Sequence, residues 1–161
     1  MLFEMKVRGL ALDPVSNIPI VILKGVDTPK SLPIWIGIYE ANAIISELEK
    51  IAPSRPMTHD LVKNIVQSME SSITRVVITD LVDNTFYANI EISSQGRKVL
   101  VDSRPSDAIA IALRTKAAIF VDEQVFEKAK QIDVSPEPDE RKKWMDWLQN
   151  ADPDDFGKYK M

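Results

Sequence analysis

Seven side chains in three short stretches hold most of the reactive potential of this sequence. They are Glu40 in IWIGIYEANAI, then Arg55, His59 and Asp60 in RPMTHDL, then Asp102, Arg104 and Asp107 in VDSRPSDAIAIALR. Carboxylates that converge can hold one or two divalent cations that activate water. Arginines can grip an oxyanion through two parallel N–H bonds. The same residue types also serve structure alone. An acid in the first turn of a helix complements the helix dipole, and an arginine ahead of a proline can pair with it and hold the turn. His59 is the single histidine, and a lone histidine near a helix start is commonly a capping or surface group. Ser103 and Ser106 are weaker candidates as nucleophiles, because no glycine elbow surrounds them and only one histidine exists to serve as base.

These residues sit at joints between regular elements. Lys98–Val101 reads as a strand end, Pro105 turns the chain at Arg104, and Ser106 and Asp107 suit the first turn of a helix. Ile109, Ala112 and Leu113 then share one helix face. Upstream, loose alternation from residue 2 to residue 12, an apolar run from Ile18 to Leu23 and another from Leu32 to Ile38 read as three strands, with Trp35 in the apolar core. A helix opening at Glu40 presents Ala41, Ile44, Ile45 and Leu48 inward. Thr58 suits an N-cap, and the helix after it presents Leu61, Ile65, Val66 and Met69 inward. Strands follow at Ile73–Val82, Thr85–Ser93 and Arg97–Val101, joined by the hairpin signals Asp83-Asn84 and Ser94-Gln95-Gly96. Ala118–Val121 is a short last strand. The two halves match in order, and IWIGIYEANAI overlays LVDSRPSDAI with Asn42 on Asp107, so we read a duplicated three-strand-plus-helix unit.

Composition narrows the functional classes. The chain has 161 residues, 45% hydrophobic and 27% charged, with no cysteine, which excludes disulfides, thiolate metal sites and cysteine nucleophiles. No apolar run has the length of a membrane span and the N-terminus lacks a signal-peptide plan, so a cytoplasmic protein is expected, with no membrane partner. The net charge of −4 lies entirely beyond residue 121, since residues 1–121 balance 13 basic against 13 acidic side chains. Lys6, Arg8, Lys24, Arg75, Arg97 and Lys98 are scattered candidates for a polyanion-binding face, although isolated charges on strands are ordinarily solvated. No aromatic interleaving marks a stacking platform. In the tail, Trp144 and Trp147 share a face of a short amphipathic segment that would dock on the body or on another chain.

The three stretches, in their order and spacing, resemble the bifunctional nuclease domain family, whose name denotes activity on both DNA and RNA. The resemblance spans about residues 4–130. It implies an α+β domain with a mixed, barrel-like sheet, commonly oligomeric, and phosphodiester hydrolysis with little sequence preference. Some relatives carry a second domain similar to the helical hairpin of nucleotide-excision-repair proteins, and the tail here is too short for that module. We therefore expect a nuclease-like domain at 1–130 and an amphipathic helix with a polar tail at 131–161. Chemistry of this kind commonly uses Mg²⁺ or Mn²⁺. On that reading Glu40, Asp60 and Asp107 are the metal ligands, with His59 they are the catalytic group, and Arg55 and Arg104 bind substrate phosphate. DNA and RNA are the expected substrates and a dimer or larger homo-oligomer the expected assembly. The contrasting reading is a non-catalytic oligomeric module that binds a ligand or partner through the same corner.

Overall fold

A computed structural model describes residues 1–129. The expected C-terminal segment with Trp144 and Trp147 lies outside the described residues. The chain runs β1 (Leu2–Leu12), β2 (Pro19–Gly25), β3 (Ser31–Trp35), α1 (Ile38–Leu48), α2 (Thr58–Ser68), β4 (Ser71–Val82), β5 (Thr85–Ser94), β6 (Arg97–Ser103), α3 (Pro105–Thr115), β7 (Ala118–Asp122) and α4 (Glu123–Lys128). This is an α+β fold on one mixed seven-stranded sheet in the order β3-β2-β1-β7-β4-β5-β6.

Two antiparallel meanders, β1-β2-β3 and β4-β5-β6, flank β7, which runs antiparallel to β1 and parallel to β4. Each meander is followed by a helix, α1 or α3, as the duplicated unit requires. Tight turns set the second meander. Asp83 and Asn84 both have positive φ, as do Gln95 and Gly96, the backbone that two-residue hairpins need to match the strand twist. The expected barrel-like closure does not occur. The sheet ends at β3 and β6, which do not pair with each other, and helices rather than strand closure cover its apolar face.

The core lies between that face and the helices. Val76, Ile78, Ala88, Ile90, Ile119 and Val121 meet Ala108, Ile109 and Ala112 of α3 and Ala41, Ile44 and Ile45 of α1. Small residues let α3 sit deep, with eight of its eleven residues buried. Alternation sends Arg75 and Glu91 to the opposite face. There Glu91 accepts from Arg75 (Nε–Oε2 2.7 Å) and from Lys98 (Nζ–Oε1 2.8 Å). These bonds hold its carboxyl below the usual carboxylate range against the opposing effect of burial. Arg75 and Lys98 are thereby partly neutralised rather than free for a polyanion.

Three sequence expectations change. Leu61, Ile65 and Met69 do not face inward, being 51%, 50% and 69% exposed, and no residue of α2 is buried. Val62 packs against the core instead, and of the expected stripe only Val66 is partly buried. Position 60 fixes this rotation, because Asp60 is tied to α3 by Arg114. Trp35 leaves the core for the opposite face, at the sheet edge beside Ile20, because an edge strand has no further strand or helix over its outer residues. Leu48 lies at the exposed margin of α1 rather than in its inward stripe.

Candidate active site where three helices begin

Pro105 occupies the first turn of α3, where its missing N–H is harmless, and leaves Arg104 as the extended N-cap residue. From that position the Arg104 guanidinium reaches two helices. Its Nε donates to Asp107 Oδ2 at 2.8 Å, one turn into α3, and its Nη1 donates to Glu40 Oε1 at 2.8 Å, in the first turn of α1. The Arg104 side chain stays 64% exposed, and among the described residues Nη2 has no partner. Asp107 uses its other oxygen, Oδ1, to meet His59 Nε2 of α2 at 2.8 Å. Burial raises the Asp107 carboxyl, but the bonds from Arg104 and His59 outweigh it and hold the group below its ordinary value. The starts of α1, α2 and α3 therefore meet in one chain of contacts: Glu40, Arg104, Asp107, His59.

Asp60 serves elsewhere. Its Oδ2 accepts from the backbone N–H of Met57, making Met57 rather than Thr58 the N-cap residue of α2. Its Oδ1 accepts from Arg114 Nε at 2.8 Å, and Arg114 also donates Nη1 to the Ala110 carbonyl. Burial raises Asp60, and the Met57 and Arg114 bonds more than reverse that. The Arg114 side chain is only 5% exposed. It clamps α2 on α3 and so aims His59 at Asp107. Sequence reading missed it, since an arginine in the last turn of a helix looks like a dipole partner. The available signal was its place on an otherwise buried helix.

The metal trio expected from the sequence does not assemble. Glu40 and Asp107 share Arg104, Asp60 is taken by Arg114, and among the described residues no three histidine, aspartate or glutamate side chains gather at metal-binding spacing. These residues, as folded, do not fit a carboxylate-held Mg²⁺ or Mn²⁺. Arg55 is exposed and, among the described residues, in no ion pair. Asp102 faces Asn89 across β5 and β6 and is also exposed.

An open mixed sheet of two meanders, with a His–Asp–Arg–Glu chain at converging helix starts, is a defined architecture, and its relatives identify it. The bifunctional nuclease domain model matches residues 21–133; the chain belongs to the bifunctional nuclease domain family. An uncharacterized protein of Mycobacterium tuberculosis (strain H37Rv) is 35% identical over 95% of this chain and 97% of its own length. Bifunctional nuclease 1 of Oryza sativa subsp. japonica is 29% identical over 68% of this chain and 34% of its own length. Bifunctional nuclease 2 of Arabidopsis thaliana is 32% identical over 63% of this chain and 32% of its own. The match to these plant proteins thus spans about a third of each of them.

Proposed function

We propose that this chain is a cytoplasmic nuclease that hydrolyses phosphodiester bonds of DNA and RNA with little sequence preference. The observation that carries the reading is the 2.8 Å contact of His59 with Asp107, whose second oxygen holds Arg104. An ionised Asp107 accepts, so a neutral imidazole keeps its proton on Nε2 and leaves the Nδ1 lone pair to take a proton from water. Arg104, pinned by two carboxylates, offers Nη2 to the phosphate oxygens as charge grows on them. Glu40 positions the guanidinium. These groups address the phosphate and not the edges of bases, which supports weak sequence preference. No helix among the described residues is long and apolar enough to cross a membrane.

The test is cleavage of single-stranded DNA and RNA by wild type, His59→Ala and Arg104→Ala, each with Mg²⁺, Mn²⁺ or chelator. Cleavage that is lost in both variants and survives chelation is the expected result. Loss on chelation would overturn this metal-free reading and return the hydrolytic step to a divalent ion. Full activity in both variants would remove this site from the reaction.

A second copy of the chain is the proposed partner of α2. Its apolar stripe of Leu61, Ile65 and Met69 points to solvent, an arrangement that favours association. Light scattering of wild type should show a dimer or larger, and Leu61→Glu should shift it toward monomer. A monomeric wild type at micromolar concentration would rule the association out.

A further inference from the structure

An open groove of about 480 Å³ is lined by Asn17, Ile18, Pro19, Trp35, Ile36, Gly37 and Ile38, at the lower end of small-molecule sites, which span about 300–1,000 Å³. Its main feature is Trp35, which is 40% exposed. The indole is not loose, because its N–H donates to Asp13 Oδ2 at 2.9 Å and Asp13 is itself fixed by the backbone N–H of Val15. An immobilised, solvent-facing aromatic ring with aliphatic neighbours Ile18 and Ile38 suits a flat, weakly polar ligand. One wall of the groove belongs to the site described above. Gly37 both lines the groove and caps α1, and a methyl group in place of its hydrogen would overlap the Glu40 carboxylate. That carboxylate holds Arg104 through its other oxygen. Glu40 therefore lies against the groove at Gly37 with one oxygen and holds the exposed guanidinium with the other.

We infer that the groove takes one unstacked nucleobase of a single-stranded DNA or RNA substrate whose phosphate lies at Arg104. This rests on the reading of Arg104 as the phosphate site. The pairing of flat apolar surface with a neighbouring cation is the chemistry of a nucleotide, and base stacking on an aromatic ring tolerates any base. A base in a duplex is already stacked and paired, so this groove favours single strands.

Fluorescence anisotropy tests the inference, with a labelled short thymidine oligonucleotide and an abasic oligonucleotide of the same backbone and length as probes. Binding is read on full-length His59→Ala protein, so that turnover does not consume the probe. Trp35→Leu should weaken the base-bearing probe by about tenfold, as expected for one stacked base, and leave the abasic probe unchanged. Trp35→Phe should restore most of the loss. Ile38→Asn, at an exposed position that the core does not need, should weaken the base-bearing probe in the same selective way and guards against a Trp35 variant that fails to fold. Arg104→Ala should weaken both probes. Equal binding of the two probes, or Trp35 and Ile38 variants that bind like the parent while Arg104→Ala binds poorly, would overturn the groove and leave the phosphate site standing. If neither probe binds, or Arg104→Ala binds both as well as its parent, the phosphate reading and the inference built on it both fall.

Discussion

The two halves of this molecule were built to one plan and then given different work. Each follows a three-stranded meander with a helix whose first turn carries polar groups. At the start of α3, Pro105 fixes the entry, Arg104 spans two helices and Asp107 binds both Arg104 and His59. At the start of α1, Gly37 leaves room for Glu40 to fold back toward Arg104. By helix start Glu40 is the counterpart of Asp107, each the third residue of its helix. Asn42, which the sequence overlay pairs with Asp107, holds a buried Oδ1 with no hydrogen-bond partner among the described residues. On the proposed reading α3 and the connecting helix α2 supply the reactive groups, Arg104, Asp107 and His59, while the first half steadies them through Glu40 and contributes an aromatic groove. A duplicated fold offers two equivalent corners, and on this reading the chemistry is concentrated at one of them while the other aims it and helps to hold the substrate.

The largest expected effect separates these roles directly. His59→Ala should lower cleavage by about 10²- to 10⁴-fold, the range for loss of a general base, with circular dichroism unchanged. Glu40→Gln should lower it by no more than about 10²-fold, the scale of a disturbed positioning contact. Steady-state kinetics on one oligonucleotide decides the matter. Equal losses would show that both corners take part in the chemical step.

Next in size is the clamp. Arg114→Ala removes a buried guanidinium and strands the Asp60 carboxylate. The expected destabilisation is about 3 kcal/mol, at the low end for breaking a buried pair because Asp60 keeps some solvent contact. The position that the sequence overlay pairs with it is Glu49, the exposed residue that caps the end of α1, where Glu49→Ala should change stability by less than about 0.5 kcal/mol. Urea unfolding of the two variants measures the contrast, and similar destabilisation would erase it.

Acid should act on the same asymmetry. Asp60 and Asp107 both titrate below their ordinary value near 3.8. Their contribution to stability is therefore complete above that value and is lost as pH falls through the depressed folded values. Stability measured from pH 6 downward (roughly the plateau for carboxylate linkage) should fall steeply only below about 4. Asp60→Asn combined with Asp107→Asn should flatten that fall. An unchanged profile would place the acid sensitivity in other carboxylates.

Much of this arrangement was legible from residue type and spacing. The strands, α3 and its Arg104–Asp107 turn follow from local rules, as does the contact zone at helix starts. Rotation of α2 was not legible. Leu61, Ile65 and Met69 form an apolar stripe that reads as inward, yet the helix turns on the Asp60–Arg114 pair, a contact between residues 54 apart whose partner carries no local signature. Trp35 misled in the same way, because an apolar run does not say which of its members lies at a sheet edge. The three acids do not gather in one place, because acids at helix starts satisfy their charge as readily with arginines as with a cation.

The smallest effect probes the duplication itself. Asp107→Ala removes the group that holds both Arg104 and His59, and should destabilise by about 2 kcal/mol. Asn42→Ala, at the position that the sequence overlay pairs with Asp107, removes an oxygen that makes no hydrogen bond within the described residues. The penalty for that unpartnered atom disappears along with some packing, so stability should move by less than about 1 kcal/mol in either direction. Thermal unfolding of the two variants side by side is sufficient. If Asn42→Ala proved as damaging as Asp107→Ala, the first corner would carry an equal structural load, and the division of labour between the halves would have to rest on the kinetics of His59 alone.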